Sequence, residues 1–147
     1  MNKKFSISTD TATLSIFDLV SLRHRINDDA DWWSIPEDEI AEVNQGNVIF
    51  LNLGIDGEYK INICDEIDGQ YDSLYLNIPS GKVFIGAGED TSGGDLEPDN
   101  SEYISGAIVD LAPGSYELRF NKELNCINIS FEPSKIKVNH ITDIVRV

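Results

Sequence analysis

Basic residues are scarcest where acids are densest. Between Asp28 and Asp110 stand twenty Asp or Glu residues against Lys60 and Lys82 alone, and the 147-residue chain carries a formal charge of −15. A field of that sign repels nucleic acid, anionic lipid and other acidic proteins, and it speeds encounter with cationic surfaces. Cysteine is also scarce. Cys64 and Cys126 lie in strand-like segments without zinc or redox spacing, so they read as reduced, buried thiols. Histidine is confined to His24 and His140, neither of which sits in a nucleophile or metal motif, and no glycine-rich phosphate loop precedes a helix. These absences argue against an enzyme and against any cofactor or metal. No apolar run approaches membrane length, and the basic start Met1-Asn2-Lys3-Lys4 leads into no signal-peptide-like segment, so the expectation is a cytoplasmic protein with no membrane partner.

What is present is enough to fold. With 41% apolar residues the chain is no solvated acidic tail, and its length suits one domain over 1–147. Apolar residues recur with period two: Tyr59, Ile61, Ile63; Leu74, Leu76, Ile78; Tyr116, Leu118, Phe120; Ile127, Ile129, Phe131. The continuous run Val48 to Leu53 predicts a strand covered on both faces. Leu14 to Ile26 alternates at first and then blurs, as a bulged strand or a strand leading into an irregular crossing would. Asp56-Gly57, Asp68-Gly69, Pro79-Ser80-Gly81 and Pro113-Gly114 punctuate the strands and predict a series of hairpins. One short helix is expected near 36–45, with a capping box from Ser34 to Glu37 and Gly46 as its stop. The fold class is therefore all-β: a two-sheet antiparallel sandwich with one short helix, and with Ile61, Ile63, Leu76, Leu118, Phe120, Ile129 and Phe131 inside.

The order of features has a counterpart. Asp31-Trp32 before a short acidic helix, Gly46 before a strand, Pro113-Gly114-Ser115-Tyr116-Glu117-Leu118, and the terminal Ile141 to Val147 together resemble the competence protein J family. Its members are small acidic inhibitors of a bacterial DNA-entry nuclease. The resemblance implies a similar architecture and an inhibitory role. This sequence departs from the pattern in the Asp65 to Asp72 connection and in the loop from Gly88 to Ser101.

Two acidic segments are candidates for binding. Asp28, Asp29, Asp31, Glu37 and Asp38 surround Trp32 and Trp33, and a carboxylate array with an aromatic anchor is what a phosphate mimic presents to a nuclease groove. Trp32 reads as a core plug and Trp33 as the better contact, since neighbours in an extended segment face opposite ways. The second segment, a mobile acidic loop near 88–102, offers Glu89, Asp90, Asp95, Glu97 and Asp99. Asp95, Glu97 and Asp99 have calcium-loop spacing, but Asn100 and Gly106 replace the glycine and glutamate such a loop needs, so no metal is expected.

The reading that accounts for the charge is an acidic inhibitor or immunity protein, monomeric when free, that neutralises a basic partner such as a nuclease or other toxin. The alternative is a carbohydrate- or small-ligand-binding sandwich in which Trp33 or a tyrosine forms an exposed stacking platform. An enzyme would need a concave site that collects a histidine with carboxylates.

Overall fold

The computed structural model describes residues 2–99 and 104–147. Among the described residues ten strands form two five-stranded sheets: β1 (Lys3–Thr9), β2 (Thr13–Asp18), β3 (Ile49–Asn52), β4 (Gly57–Ile63), β5 (Asp72–Ile78), β6 (Lys82–Ala87), β7 (Gly106–Asp110), β8 (Gly114–Glu123), β9 (Cys126–Pro133) and β10 (Val145–Arg146). The first sheet has the order β1-β4-β9-β8-β5 and the second β10-β3-β2-β6-β7. The fold is an all-β sandwich with one α-helix, α1 (Pro36–Asn44).

Period-two patterning decides what faces inward. Ile61, Ile63, Leu76, Leu118, Phe120 and Ile129 from the first sheet meet Leu14, Ile16, Ile49, Leu51, Val83 and Ile85 from the second, all within 1% of complete burial. Phe131 lies at the margin of this core, partly buried with its ring edge-to-face with Tyr116, where β9 is still paired with β8 but has run past the end of β4. Cys64 and Cys126 are free thiols and only half-buried; Cys64 directly follows β4 and Cys126 opens β9. Burial, reinforced by repulsion from Asp65 and Asp68, raises the pKa of the Cys64 thiol.

β2 is buried along its whole length and β3 nearly so. Both need cover on their outer face, and a second apolar layer supplies it: Phe17, Leu22, Phe50 and Phe84 pack with Trp32, Trp33, Val43 and Val48. The expected two-sided strand and the irregular crossing after residue 18 are thus parts of one arrangement. β2 ends at Asp18, the chain runs over the outside of the second sheet through two 3-10 turns, Arg23–Arg25 and Trp32–Ser34, and α1 returns it to β3.

Three local expectations are corrected. The turn signals do not make a series of hairpins. Asp56-Gly57, Pro79-Ser80-Gly81 and Pro113-Gly114 carry the chain from one sheet to the other, and Asp68-Gly69 joins strands that do not pair. The sheets are mixed, because β4 runs parallel to β9 and β10 parallel to β3. The capping box does not form: Ile35 occupies the N-cap with no side-chain bond, and Pro36 starts the helix because its missing N–H would have been unpaired there anyway. Gly46 does stop α1, at φ +77°, where a Cβ would collide with the Lys137 carbonyl and the Asn77 amide.

Candidate functional site

The site begins with an anchor that sequence reading passed over. The fully buried Asp18 carboxylate accepts hydrogen bonds from the N–H groups of Val20, Ser80 and Gly81, each at 2.9 Å, and from the Ser80 hydroxyl at 2.7 Å. This closes the end of β2 onto the β5–β6 turn and directs the following residues across the outer face. The 3-10 turn at Trp32–Ser34 then drives both tryptophans inward. Trp32 donates its indole N–H to the Ser92 carbonyl at 2.8 Å, and Trp33 stacks on Phe50 at 5.5 Å between ring centroids. Trp33 is only 7% exposed and is therefore not the outward-facing contact expected of it. Successive residues of a 3-10 turn are rotated by ~120° rather than alternating by 180°, so two neighbours can share an inward face.

The acid-rich window is free of bases in sequence but not in space. Arg25, just upstream, lies over the Trp32 ring at 4.6 Å. Its guanidinium reaches Glu42 at 2.7 Å, Asp28 at 3.1 Å and Asp38 at 3.2 Å. His24 Nε2 meets the same Glu42 carboxylate at 2.8 Å, and the Asn47 amide donates to it at 2.9 Å. Burial alone would raise the Glu42 pKa; the Asn47, Arg25 and His24 bonds outweigh it and hold the group below the ordinary carboxylate value. Burial would lower the Arg25 pKa, but its carboxylate partners outweigh that and raise it. Three acids of the window are therefore tied up around one cation. Asp29, Asp31 and Glu37 are exposed and make no ion pair among the described residues.

The second acidic segment splits in the same way. The Glu89 carboxylate accepts from the Asp10 N–H at 2.5 Å and from the Thr9 and Thr11 hydroxyls at 2.7 and 2.9 Å, so it fastens the β1–β2 turn. These bonds overcome the effect of burial and lower its pKa. Asp90 accepts from the Ser105 N–H at 2.9 Å, but burial dominates and raises its pKa. Both were candidates for contact, and both are half-buried with their carboxylates engaged in bracing the fold. Glu97 approaches Arg23 at 3.9 Å, while Asp95 and Asp99 are exposed.

Through Asp95 the loop is also less free than a mobile segment would be. Gly94 and Asp95 donate backbone N–H bonds to the Asp28 and Ile26 carbonyls at 2.6 and 2.7 Å, and Gly93 packs on Ala30 and Trp32. Asp95 adopts φ +64° to make this contact. The remainder of the expected loop, Asn100 to Glu102, lies outside the described residues. Among the described residues no three His, Cys, Asp or Glu side chains gather as a metal-ligand set, and no helix is long and apolar enough to cross a membrane.

These contacts bring the two acidic segments, far apart in sequence, onto one face. Asp28, Asp29, Asp31 and Asp38, with Arg25, Trp32 and Ile35, line an open depression of about 540 Å³ on it. Sequence reading found most of the acids. It passed over Arg23 and Arg25, whose signal was two arginines placed directly before the acid run, and it placed His24 only outside any nucleophile or metal motif.

A family model matches the chain over residues 1–147. The chain belongs to the DUF6386 family. That family is described as one of unknown function. Two solved structures share the fold of this DUF6386 member. One is ComJ, inhibitor of the DNA-degrading activity of NucA, from Bacillus subtilis, 13% identical, with a TM-score of 0.55 over 91% of this chain and 99% of ComJ. The other carries the description crocagin biosynthetic gene J, also 13% identical, with a TM-score of 0.54 over 91% of this chain and 96% of its own. The likeness to the competence protein J architecture therefore holds at the level of the fold. No curated protein matches the sequence.

Proposed function

We propose that the protein is an inhibitor or immunity protein that binds and neutralises a basic partner, a nuclease or other toxin, through the face formed by the 28–38 and 93–97 segments. The observation that carries this reading is the convergence of both acidic segments on one face, with Asp29, Asp31, Glu37 and Asp95 left exposed and without an ion pair among the described residues. Carboxylates so placed occupy a cationic groove as phosphates would, and block it without chemistry. A fold shared with an inhibitor of a DNA-degrading activity supports the same reading. The protein then acts as a cytoplasmic monomer, with neither nucleic acid nor membrane as partner and with no cofactor. The sugar-binding alternative loses Trp33 as its platform, since both tryptophans are inside, and would rest on a tyrosine such as Tyr71, which is 45% exposed.

The test is retention of proteins from the native cells at low salt, identification of those released by high salt, and binding kinetics of the purified pair. For the triple variant Asp29→Asn/Asp31→Asn/Glu37→Gln the association rate at low ionic strength should fall roughly tenfold and its salt dependence should flatten. If no basic protein binds the wild-type chain, or if the triple variant associates as the wild type does, the reading is wrong.

A further inference from the structure

The acidic face is not uniformly polar. Ile35 is 49% exposed and Leu96 is 74% exposed. Ile35 occupies the N-cap of α1, beside Pro36, and forms part of the wall of the acidic depression. Leu96 sits at the end of a tight turn closed by reciprocal backbone bonds with Gly93 at 2.9 and 3.0 Å. That turn is fixed in its turn to Ala30 and Trp32 through Gly93. Both side chains are thus held outward by backbone seated on the buried Trp32, so little ordering entropy is lost when they are covered. Single exposed apolar residues are ordinary on any surface. These two differ in being displayed from a fixed backbone beside Asp29, Asp31, Glu37 and Asp95, which make no ion pair among the described residues.

We infer that Ile35 and Leu96 are the apolar anchors of the interface, each entering an apolar recess on a basic protein whose Lys and Arg side chains surround it. The inference rests on the inhibitor reading and gives it the desolvated centre that Trp33, being buried, does not provide. Charge selects the occupant. A second copy meeting this face symmetrically would bring Asp29, Asp31, Glu37 and Asp95 against their own equivalents, and like charges in contact oppose association. Nucleic acid and anionic lipid are repelled by the same carboxylates. A cationic protein surface is attracted by the rim and gains from covering the two side chains. The labour divides accordingly: the carboxylates hasten encounter, and the anchors slow dissociation.

The experiment places a photo-crosslinking amino acid at position 35, 96 or 124 of the full chain in its native cells. Leu124, 94% exposed at the β8–β9 hairpin of the other sheet, is the control. Positions 35 and 96 should link to one and the same basic protein, identified by mass spectrometry, and position 124 should not. With that purified protein, Ile35→Ser/Leu96→Ser should raise Kd roughly 30-fold through faster dissociation, leaving the salt dependence of association unchanged. The anchor assignment is overturned if the links join two copies of this chain, if the basic protein is reached only from position 124, or if the double variant dissociates at the wild-type rate. In the last two cases a basic partner with salt-dependent association leaves the inhibitor reading standing. If the wild-type chain binds no basic protein at all, both fall.

Discussion

Two glutamates one turn apart on α1 have opposite relations to the fold. Glu39 is partly buried with no cation partner among the described residues, and burial, reinforced by repulsion from Asp143, raises its pKa from 4.5 to about 7. Glu42 is buried among Asn47, Arg25 and His24 and is held below 4.5. The signs follow from proton linkage. Between pH 4.5 and about 7 the folded chain keeps a proton on Glu39 that the unfolded chain has released, so stability falls as pH rises through that window. The Glu42 contribution is complete above 4.5 and is lost as pH falls through its lowered folded value. Glu39→Gln should therefore stabilise the protein at pH 8 by roughly 1–2 kcal/mol, after allowance for partial exposure, and the gain should vanish below pH 4.5. Urea denaturation at pH 8 and pH 4 checks this; an equal effect at both would show that Glu39 acts by packing and not by charge. None of this was legible in the sequence. Glu37, Asp38, Glu39 and Glu42 look alike as letters, and only the tertiary position of Arg25 and Asp143 separates them.

At the level of elements, strands were easier to read than their partners. Alternation in Tyr59 to Ile63, Leu74 to Ile78 and Tyr116 to Phe120 reports a buried face, and those strands are where the pattern put them. Pairing direction leaves no such trace, which is why the parallel β4–β9 pair and the sheet-crossing turns were missed. Turn residues mark where the chain reverses and are silent about which sheet it enters next. The segment after β9 shows how tertiary bonds fix an element without periodicity. The Asn139 side chain accepts from the Tyr75 N–H and donates to the carbonyls of Val43 and Tyr75, all at 2.8 Å, joining the end of α1, the edge of β5 and the C-terminal segment. Asn139→Ala leaves the Tyr75 N–H and carbonyl at the β5 edge without this partner and removes one of the bonds to the Val43 carbonyl, which keeps that from the Gly46 N–H, and should destabilise by about 1–3 kcal/mol. Chemical denaturation measures it, and a loss below about 0.5 kcal/mol would mean that solvent replaces those bonds freely.

For the molecule as a whole, charge and function are set against stability. The chain carries −15, and the bases nearest the acidic face, Arg23 and Arg25, are already engaged by Glu97 and by Asp28, Asp38 and Glu42. What remains on that face is repulsive to itself, and self-repulsion of this kind opposes the compact state. A sequence selected for stability alone would scatter a lysine or two among Asp29, Asp31 and Glu37; under the proposed inhibitor reading, leaving them unopposed serves an external cation. Screening provides the test. Raising salt from low to about 0.5 M shortens the reach of charge to a few ångströms, so the thermal midpoint of the free protein should rise by roughly 3–8 °C. Asp29→Asn/Asp31→Asn/Glu37→Gln should start from a higher midpoint at low salt and gain less from added salt, the two curves converging where screening is strong. A midpoint that falls with salt would show that the internal ion pairs around Arg25 outweigh the repulsion, and that the free protein has no unbalanced acidic face to offer a partner.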